Sequence, residues 1–297
     1  MSSDRFDRNI RFFGRTGQER LRSASVAVVG VGGIGTHVVQ QLSLLGVGGL
    51  ALIDPQELDR SNLNRYVGAR YDDPIPGTRK VDLGERIARS IGPEIRIVKV
   101  FDSLVSHDAF RAIIEADYAF GCVDREGVRL ILNELCAAYS RPYFDIASEI
   151  VPKEGLAYGG RAFAAWDGSG CLVCLGILDL AEVQQDLSGP EGRDDFGAIY
   201  GVDRTLLGEP GPSVVSINAL VASLAVTEFM VAVTGIRPPR RLLNYYGHLV
   251  PHRSDRQVTV SADEPWLDCY YCKGIRGVGE KADVERYIRA GVGQWLR

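Results

Sequence analysis

The sequence predicts an α/β fold, with a mainly parallel sheet, helices on both faces and antiparallel strands toward the C-terminus. Between residues 25 and 147, apolar runs of strand length alternate regularly with segments of helical periodicity. Such alternation is typical of βαβ units and of a parallel sheet covered on both faces. Beyond residue 156 the alternation stops, so the later strands are expected to leave the parallel pattern.

The elements follow in order from apolar runs and helical spacing. Strands are expected at 25–31, 50–55, 95–101, 118–124 and 143–147, and later at 156–166, 241–247 and 257–262. Helices are expected at 33–46, 78–92, 107–116, 126–140, 213–235 and 282–291. Residues 1–24 predict a helical arm, and the acidic, Gly-rich residues 178–203 predict a long loop or lid. With no separating linker, residues 1–297 are expected to form one domain.

The composition is that of an ordinary globular protein and excludes several classes. Its 34 basic and 38 acidic side chains give a net charge of −4. This negative net charge argues against a nucleic-acid partner held by bulk charge. Residues 213–235 come closest to a membrane span, but Asn218 and Glu228 interrupt them. The first residues lack a signal-peptide core. These features predict a cytoplasmic protein without a membrane partner.

A glycine-rich turn directly follows the first strand and opens the first helix. Its glycines are Gly30, Gly32, Gly33 and Gly35. Glycine permits a tight turn and lets backbone approach a phosphate, while the helix N-terminus offers free N–H groups. Asp54 ends the second strand, where a carboxylate meets a ribose hydroxyl in such folds. The order predicts a Rossmann-like nucleotide site that fits NAD as well as ATP.

The residues after Asp54 favour ATP over NAD. A polar cluster ends in Asn62 and Arg65, Lys80 opens the next helix, and Asp124 ends the fourth strand. Two cations, a carboxylate and a glycine turn are the groups needed to hold Mg²⁺ and a triphosphate. In a dinucleotide oxidoreductase the two cations would have no role. A binding scaffold without activity would not need the full set of cations, carboxylate and glycine turn.

These residues identify a resemblance to the ThiF/MoeB/HesA family, the bacterial relatives of ubiquitin-activating enzymes. It rests on residues 5–10, 30–35, Asp54, 62–65, Lys80, 123–124 and two C-x-x-C pairs. The matching motifs extend from about residue 5 to residue 273. The resemblance implies ATP-dependent adenylation of the C-terminal carboxylate of a small ubiquitin-like or sulfur-carrier protein ending in Gly-Gly. The products would be an acyl adenylate and pyrophosphate.

The resemblance also implies roles for single residues. Asp54 would hold the ribose of ATP, and Asp124 would position Mg²⁺. The phosphates would be held by Asn62, Arg65 and Lys80. Because the family works as a homodimer, Arg8 would reach the ATP site of the neighbouring subunit.

This chain departs from the family pattern at two positions. Tyr66 stands where the family usually has Gln, and Arg125 where it usually has Asn. Both departures bear on the identity of the substrate more than on the adenylation chemistry.

Four of the six cysteines form the pairs Cys171/Cys174 and Cys269/Cys272. The pairs are far apart in sequence, so the fold must bring them together if they bind one ion. Four thiolates suit a closed, tetrahedral, structural Zn²⁺ site, and many members of the resembling family carry the same pairs. Buried thiol pairs or redox-active pairs remain alternatives.

The other two cysteines, Cys122 and Cys136, are expected to be buried packing residues. Some relatives carry a transfer cysteine between the two zinc pairs, but residues 175–268 of this chain contain no cysteine. We therefore expect adenylation without a conventional enzyme thioester, and transfer of the acyl group to a possible downstream transferase or amine. The alternative is a related enzyme that adenylates a tRNA-linked or short-peptide carboxylate.

Overall fold

The computed structural model describes residues 5–151, 157–188, 212–247, 258–261 and 264–288. Its strands are β1 Ser25–Val29, β2 Gly49–Ile53, β3 Arg96–Val100, β4 Tyr118–Gly121, β5 Tyr143–Val151, β6 Ala157–Ala165, β7 Leu242–Tyr246 and β8 Val258–Val260. They form one sheet in the order β3-β2-β1-β4-β5-β6-β7-β8. The first five strands pair in parallel, and β6, β7 and β8 pair antiparallel. The predicted fold class is confirmed.

Seven α-helices accompany the sheet in the described residues. They are α1 Asp7–Ser23, α2 Gly33–Leu45, α3 Lys80–Ile91, α4 His107–Glu115, α5 Glu126–Ala138, α6 Leu180–Leu187 and α7 Val215–Thr234. Helices α2 and α7 end as the sequence predicts, since Gly46 and Gly235 take left-handed conformations there. The N-terminal arm is α1, which bends at Gly14, a residue with φ of 77°.

Alternate residues of the central strand enter two different cores. In β1, Val26 and Val28 join the core beneath α2 and α7, whereas Ala27 and Val29 join the core beneath α4 and α5. Because successive strand side chains point to opposite faces, a strand buried on both faces must be apolar throughout. The run at residues 25–31 meets that requirement.

Helix α7 packs on the first of these cores. Of the helices described, it is long and apolar enough to cross a membrane by length and composition. It contacts α2, β5 and β6, and its buried Glu228 accepts hydrogen bonds from Arg237 at 2.6 and 2.8 Å. Of the polar interruptions noted in the sequence, Glu228 is thus a buried carboxylate paired with a partly exposed arginine. Asn218 makes a contact within the nucleotide crevice described below.

The prediction of one long loop over residues 178–203 is wrong at its start, where α6 forms. Asp179 caps α6 by accepting hydrogen bonds from the N–H groups of Ala181 and Glu182. The helix docks on α5 because Gly127 there has no Cβ, which would otherwise lie 2.7 Å from Asp186 Cβ. Residues 189–203 lie outside the described residues.

Three boundaries also differ from expectation. The fourth strand ends at Gly121 rather than at 124, because Cys122 onward turns toward α5. The fifth strand continues to Val151 because it pairs along its whole length with β6. The predicted helix at 282–291 consists of two 3₁₀ turns, Gly279–Ala282 and Val284–Tyr287, which are separated by Asp283 at a φ of 51°. Residues 289–291 lie outside the described residues.

Phe229 of α7 lies at the centre of the first core, and its packing can be tested by substitution. This side chain is fully buried, and its ring centroid lies 5.2 Å from that of Tyr118, 5.6 Å from Phe120 and 5.8 Å from Phe144. We expect Phe229→Ala to lower the free energy of unfolding by about 3–5 kcal/mol, because the rings around it cannot close the cavity. Urea denaturation measures this, with exposed Leu44→Ala as the control. A loss below about 1 kcal/mol would contradict the packing.

Candidate functional site

The nucleotide-site candidates lie where the sheet changes direction. Strands β1 and β4 are neighbours, but the helix that follows β1 packs on one face of the sheet and the helix that follows β4 on the other. Their loops therefore diverge at the carboxyl ends of the strands and leave a crevice between them. In open α/β sheets this switch point is where ligands bind.

The glycine turn at this crevice has no room for side chains. A Cβ on Gly30 would lie 2.6 Å from the carbonyl oxygen of Cys122, and its φ of +88° also disfavours other residues. A Cβ on Gly35 would lie 1.9 Å from the carbonyl oxygen of Gly30. At Gly33 it would meet Asn218 Nδ2 at 2.6 Å, and at Gly32 the Tyr66 hydroxyl at 3.3 Å. Backbone N–H groups at the start of α2 can therefore face a ligand closely.

Asp54 lies beside this turn and is buried. Its carboxylate accepts hydrogen bonds of 2.8 Å from the backbone N–H groups of Val31 and Gln56. Burial raises the pKa of Asp54, an effect that the nearby Lys80 and the two backbone donors oppose and that the charge of Asp124 adds to. A carboxylate has about four acceptor positions, so two remain that suit ribose hydroxyls.

Lys80 is buried at the first turn of α3. Its Nζ atom donates to Gln56 Oε1 at 2.6 Å and lies 5.3 Å from the centre of the Tyr66 ring. Tyr66, the first departure from the family pattern, is 9% exposed and packs between Lys80 and Gly32. The aromatic ring thus forms a wall of the crevice beside the Lys80 ammonium, whose charge also interacts with Asp54.

Asn62 and Arg65 lie on the turn that leads from Asp54 to α3. Asn62 is buried and its Oδ1 accepts from the Asp59 N–H at 3.0 Å, while Asp59 caps the same 3₁₀ turn. Arg65 is half-buried, and its guanidinium donates to the Ser61 carbonyl oxygen and, at 3.2 Å, to Asn64 Oδ1. Asn62 therefore stabilises the loop, and Arg65 is a cation folded along it.

Asp124 and Arg8 are the exposed candidates. Asp124 follows β4 on the loop to α5, close enough to Asp54 for their charges to interact. Arg8 is exposed on α1, which packs against α7. The structure thus brings Asp54, Lys80, Asp124 and the glycine turn to one crevice, while the reach of Arg8 into a neighbouring subunit stays a prediction.

Two residues of the crevice have no role in the sequence prediction. Gln56 holds both Asp54 and Lys80, and it lies in the polar segment after β2. Asn218 of α7 is buried against Gly33 and hydrogen-bonds Ser148 and Ser213. A polar residue inside a long apolar helix is the sequence signal that could have identified Asn218.

The four paired cysteines converge on one point, although the two pairs are separated by more than 90 residues of sequence. Their sulfur atoms all lie within 4.8 Å of one another, with neighbouring separations of 3.7 Å (Cys171–Cys174), 3.6 Å (Cys171–Cys269) and 3.8 Å (Cys174–Cys272). A tetrahedron with Zn–S bonds of about 2.3 Å has edges of about 3.8 Å. The donor set and its size therefore fit zinc.

The two single cysteines are poor nucleophiles. Cys136 is buried in α5, and burial raises its pKa to about 12. Cys122 is only partly buried, contrary to expectation, because β4 ends before it. It lies behind the glycine turn, where desolvation and the charge of Asp145 raise its pKa further. Since the thiolate is the reactive form, neither side chain is prepared to attack an acyl adenylate at neutral pH.

Comparison with known proteins gives one family and several named relatives. The ThiF family profile matches residues 6–266. Protein HesA, vegetative, of Trichormus variabilis is 28% identical over 76% of this chain and 74% of its own length. The molybdopterin-synthase adenylyltransferase of Escherichia coli is 33% identical over 59% of this chain and 68% of its own. The SAMP-activating enzyme E1 of Haloferax volcanii is 33% identical, but the match spans only 49% of its length.

Solved structures share the fold. A crystal structure of E. coli MccB with MccA-N7isoASN has a TM-score of 0.68 at 19% identity, covering 91% of this chain and 75% of MccB. A structure of E. coli MccB with ATP has a TM-score of 0.65 at the same identity and coverage. At these identities the likeness establishes the architecture alone.

The cysteine cluster yields a direct prediction. We expect about one zinc ion per chain by elemental analysis of protein purified without chelator, because four convergent thiols form a closed site. Cys272→Ser should lose most of that zinc and lower thermal stability. Cys136→Ser is the matched control, since Cys136 lies outside the cluster and should leave the zinc content unchanged. Full zinc content in Cys272→Ser would contradict the assignment.

Proposed function

This chain belongs to the ThiF family, and we propose that it uses ATP and Mg²⁺ to adenylate a protein carboxylate. The substrate would be the C-terminal carboxylate of a small ubiquitin-like or sulfur-carrier protein. The observation that supports this most is the convergence of the glycine turn, Asp54, Lys80 and Asp124 on one crevice. In this proposal the products are an acyl adenylate and pyrophosphate.

The chemistry follows from the charges of the reacting groups. The substrate carboxylate is already ionised at pH 7, so its oxygen attacks the α-phosphorus without a general base, and the bond to pyrophosphate breaks. Both reactants are anions, and their repulsion must be offset. Lys80 and Arg65 supply positive charge at the phosphates, and backbone N–H groups of α2 add their dipoles.

The remaining roles concern nucleotide and metal. Asp54 offers two free acceptor positions to the ribose, and Asn62 keeps the loop of Arg65 in place. Asp124 is an exposed carboxylate at the crevice, a hard oxygen ligand of the kind that Mg²⁺ binds. When bound, Mg²⁺ would neutralise charge on the leaving pyrophosphate.

The assembly extends the proposal beyond one chain. We propose a homodimer in the cytoplasm, in which Arg8 of each subunit completes the other's site, and a zinc ion held by Cys171, Cys174, Cys269 and Cys272. The carrier protein would end in Gly-Gly, as the resemblance to the family implies, and such a tail is flexible and has no side chains. A downstream transferase or an amine would then accept the acyl group.

The main test is pyrophosphate exchange into ATP. We expect exchange that requires Mg²⁺ and a β-grasp carrier ending in Gly-Gly, and that is lost with a carrier lacking its last glycine. Asp124→Asn should lower the rate roughly 100-fold or more, because it removes the negative charge of a metal ligand. Asp117→Asn is the control, since Asp117 binds Ser25 before β4, at the opposite strand end. Unchanged exchange in Asp124→Asn would refute the magnesium role.

The same assay separates the alternative substrates. Exchange that is supported by short peptides or by tRNA-linked carboxylates, and not by any carrier protein of the host, would replace the proposed substrate with the alternative one. The adenylation chemistry would stand in that case, because the crevice residues act on the nucleotide and not on the rest of the substrate.

A second prediction concerns the covalent intermediate. Since burial raises the pKa of both Cys122 and Cys136, we expect no enzyme–carrier thioester during turnover. Non-reducing electrophoresis of a reaction with ATP and carrier should show no band that dithiothreitol removes. The double variant Cys122→Ser/Cys136→Ser should retain exchange within about threefold if it folds. A thiol-sensitive band that this variant loses would contradict the prediction.

A further inference from the structure

A cluster of buried charges lies beneath the loop that carries Asp124. Arg129 of α5 donates from Nη1 to Asp145 Oδ2 at 2.5 Å, and its Nε atom lies 3.3 Å from Glu126 Oε1. Arg161 of β6 approaches the same two carboxylates, at 3.7 Å from Asp145 and 3.9 Å from Glu126. The Tyr143 hydroxyl donates to the other Asp145 oxygen at 2.9 Å.

The formal charges of this cluster cancel, since two guanidinium groups face two carboxylates. Arg129 is 3% exposed and Asp145 is not exposed at all. Bringing such charges out of water is costly, and apolar side chains of the same size often stabilise a fold equally well. Stability alone therefore gives no reason for the cluster, and the groups that it holds indicate its role.

Arg129 also holds the backbone of the loop after β4 and of strand β5. Its Nη2 atom donates to the carbonyl oxygen of Val123 at 2.5 Å and to that of Ile146 at 3.4 Å. Val123 immediately precedes Asp124 in the loop. On the other side of this loop, the N–H of Cys122 donates to the Val29 carbonyl oxygen at 2.8 Å. The loop is thus fixed from β1 on one side and from the guanidinium on the other.

We propose that Arg129, oriented by Asp145, is a positioning residue that fixes the Asp124 carboxylate for Mg²⁺; this inference rests on the proposed function. A planar guanidinium can contact Asp145, Val123 and Ile146 in their different directions at once. A lysine ammonium is a single point charge on a flexible stem and cannot reproduce that geometry. A misplacement of about 1 Å in such a site is enough to weaken catalysis strongly.

The test substitutes Arg129→Lys, which keeps the positive charge and removes the planar fork. We expect the Mg²⁺ concentration for half-maximal pyrophosphate exchange to rise about tenfold, because Asp124 is no longer fixed. Calorimetric ATP affinity without Mg²⁺ should stay unchanged, since Lys80 and Arg65 are untouched. Asp145→Asn should raise the Mg²⁺ requirement in the same direction.

The matched control is Arg286→Lys. Arg286 donates at 2.5 Å to Glu134, a buried carboxylate of α5, the helix that also carries Arg129. Glu134 lies eight residues beyond Glu126, about 12 Å along α5. Loss of this contact should lower thermal stability and leave the Mg²⁺ requirement as in the wild type.

The outcomes separate this inference from the proposed function. Equal shifts in Arg129→Lys and Arg286→Lys, or no shift in either, would overturn the positioning role while exchange by the wild type upholds the adenylation chemistry. A wild type whose pyrophosphate exchange does not require Mg²⁺ would overturn both. If Arg129→Lys does not fold, Tyr143→Phe is the test, because it removes only the hydrogen bond from the Tyr143 hydroxyl to Asp145. A raised Mg²⁺ requirement in this variant supports the positioning role, and an unchanged requirement overturns it.

Discussion

The close approach of two backbone segments at the carboxyl ends of β1 and β4 determines the rest of the site. The Cys122 carbonyl oxygen occupies the space that a side chain on Gly30 would need, and the Gly30 carbonyl oxygen does the same to Gly35. These contacts fix where α2 begins and how near the loop after β4 can come. Asp54 and Asp124 follow β2 and β4, the two neighbours of β1, and lie close enough for their charges to interact.

Charge in the crevice is balanced by a small number of groups. Asp54 and Asp124 repel each other, and this repulsion adds to the effect of burial in raising the pKa of Asp54. Lys80 and the backbone N–H groups of Val31 and Gln56 oppose it. A divalent cation on Asp124 would act in the same sense as Lys80, so metal and triphosphate suit this crevice as a pair. That reading fits a site for Mg²⁺ and ATP better than one for a dinucleotide.

Helix α5 connects the crevice with the cysteine cluster. At its start, Arg129 holds the loop of Asp124. One turn later, Asn133 Oδ1 accepts from the N–H of Leu172 at 3.1 Å, between two of the paired cysteines. Glu134 binds Arg286 and Tyr287 of the C-terminal 3₁₀ turn. A zinc ion in the cluster would therefore stabilise the same helix that begins two residues after Asp124, the proposed magnesium ligand.

Sequence by itself determined the fold class, the glycine turn and the cysteine pairs, because each depends on local chemistry. Apolar alternation reports burial directly, and few residues other than glycine fit the conformation of Gly30. The tertiary structure alone decided the buried partners. Arg129 and Asp145 lie on different elements, and α6 forms where the surrounding residues are acidic and Gly-rich. Such contacts join residues far apart in sequence, so no local pattern encodes their distance, and only the packed sheet brings them together.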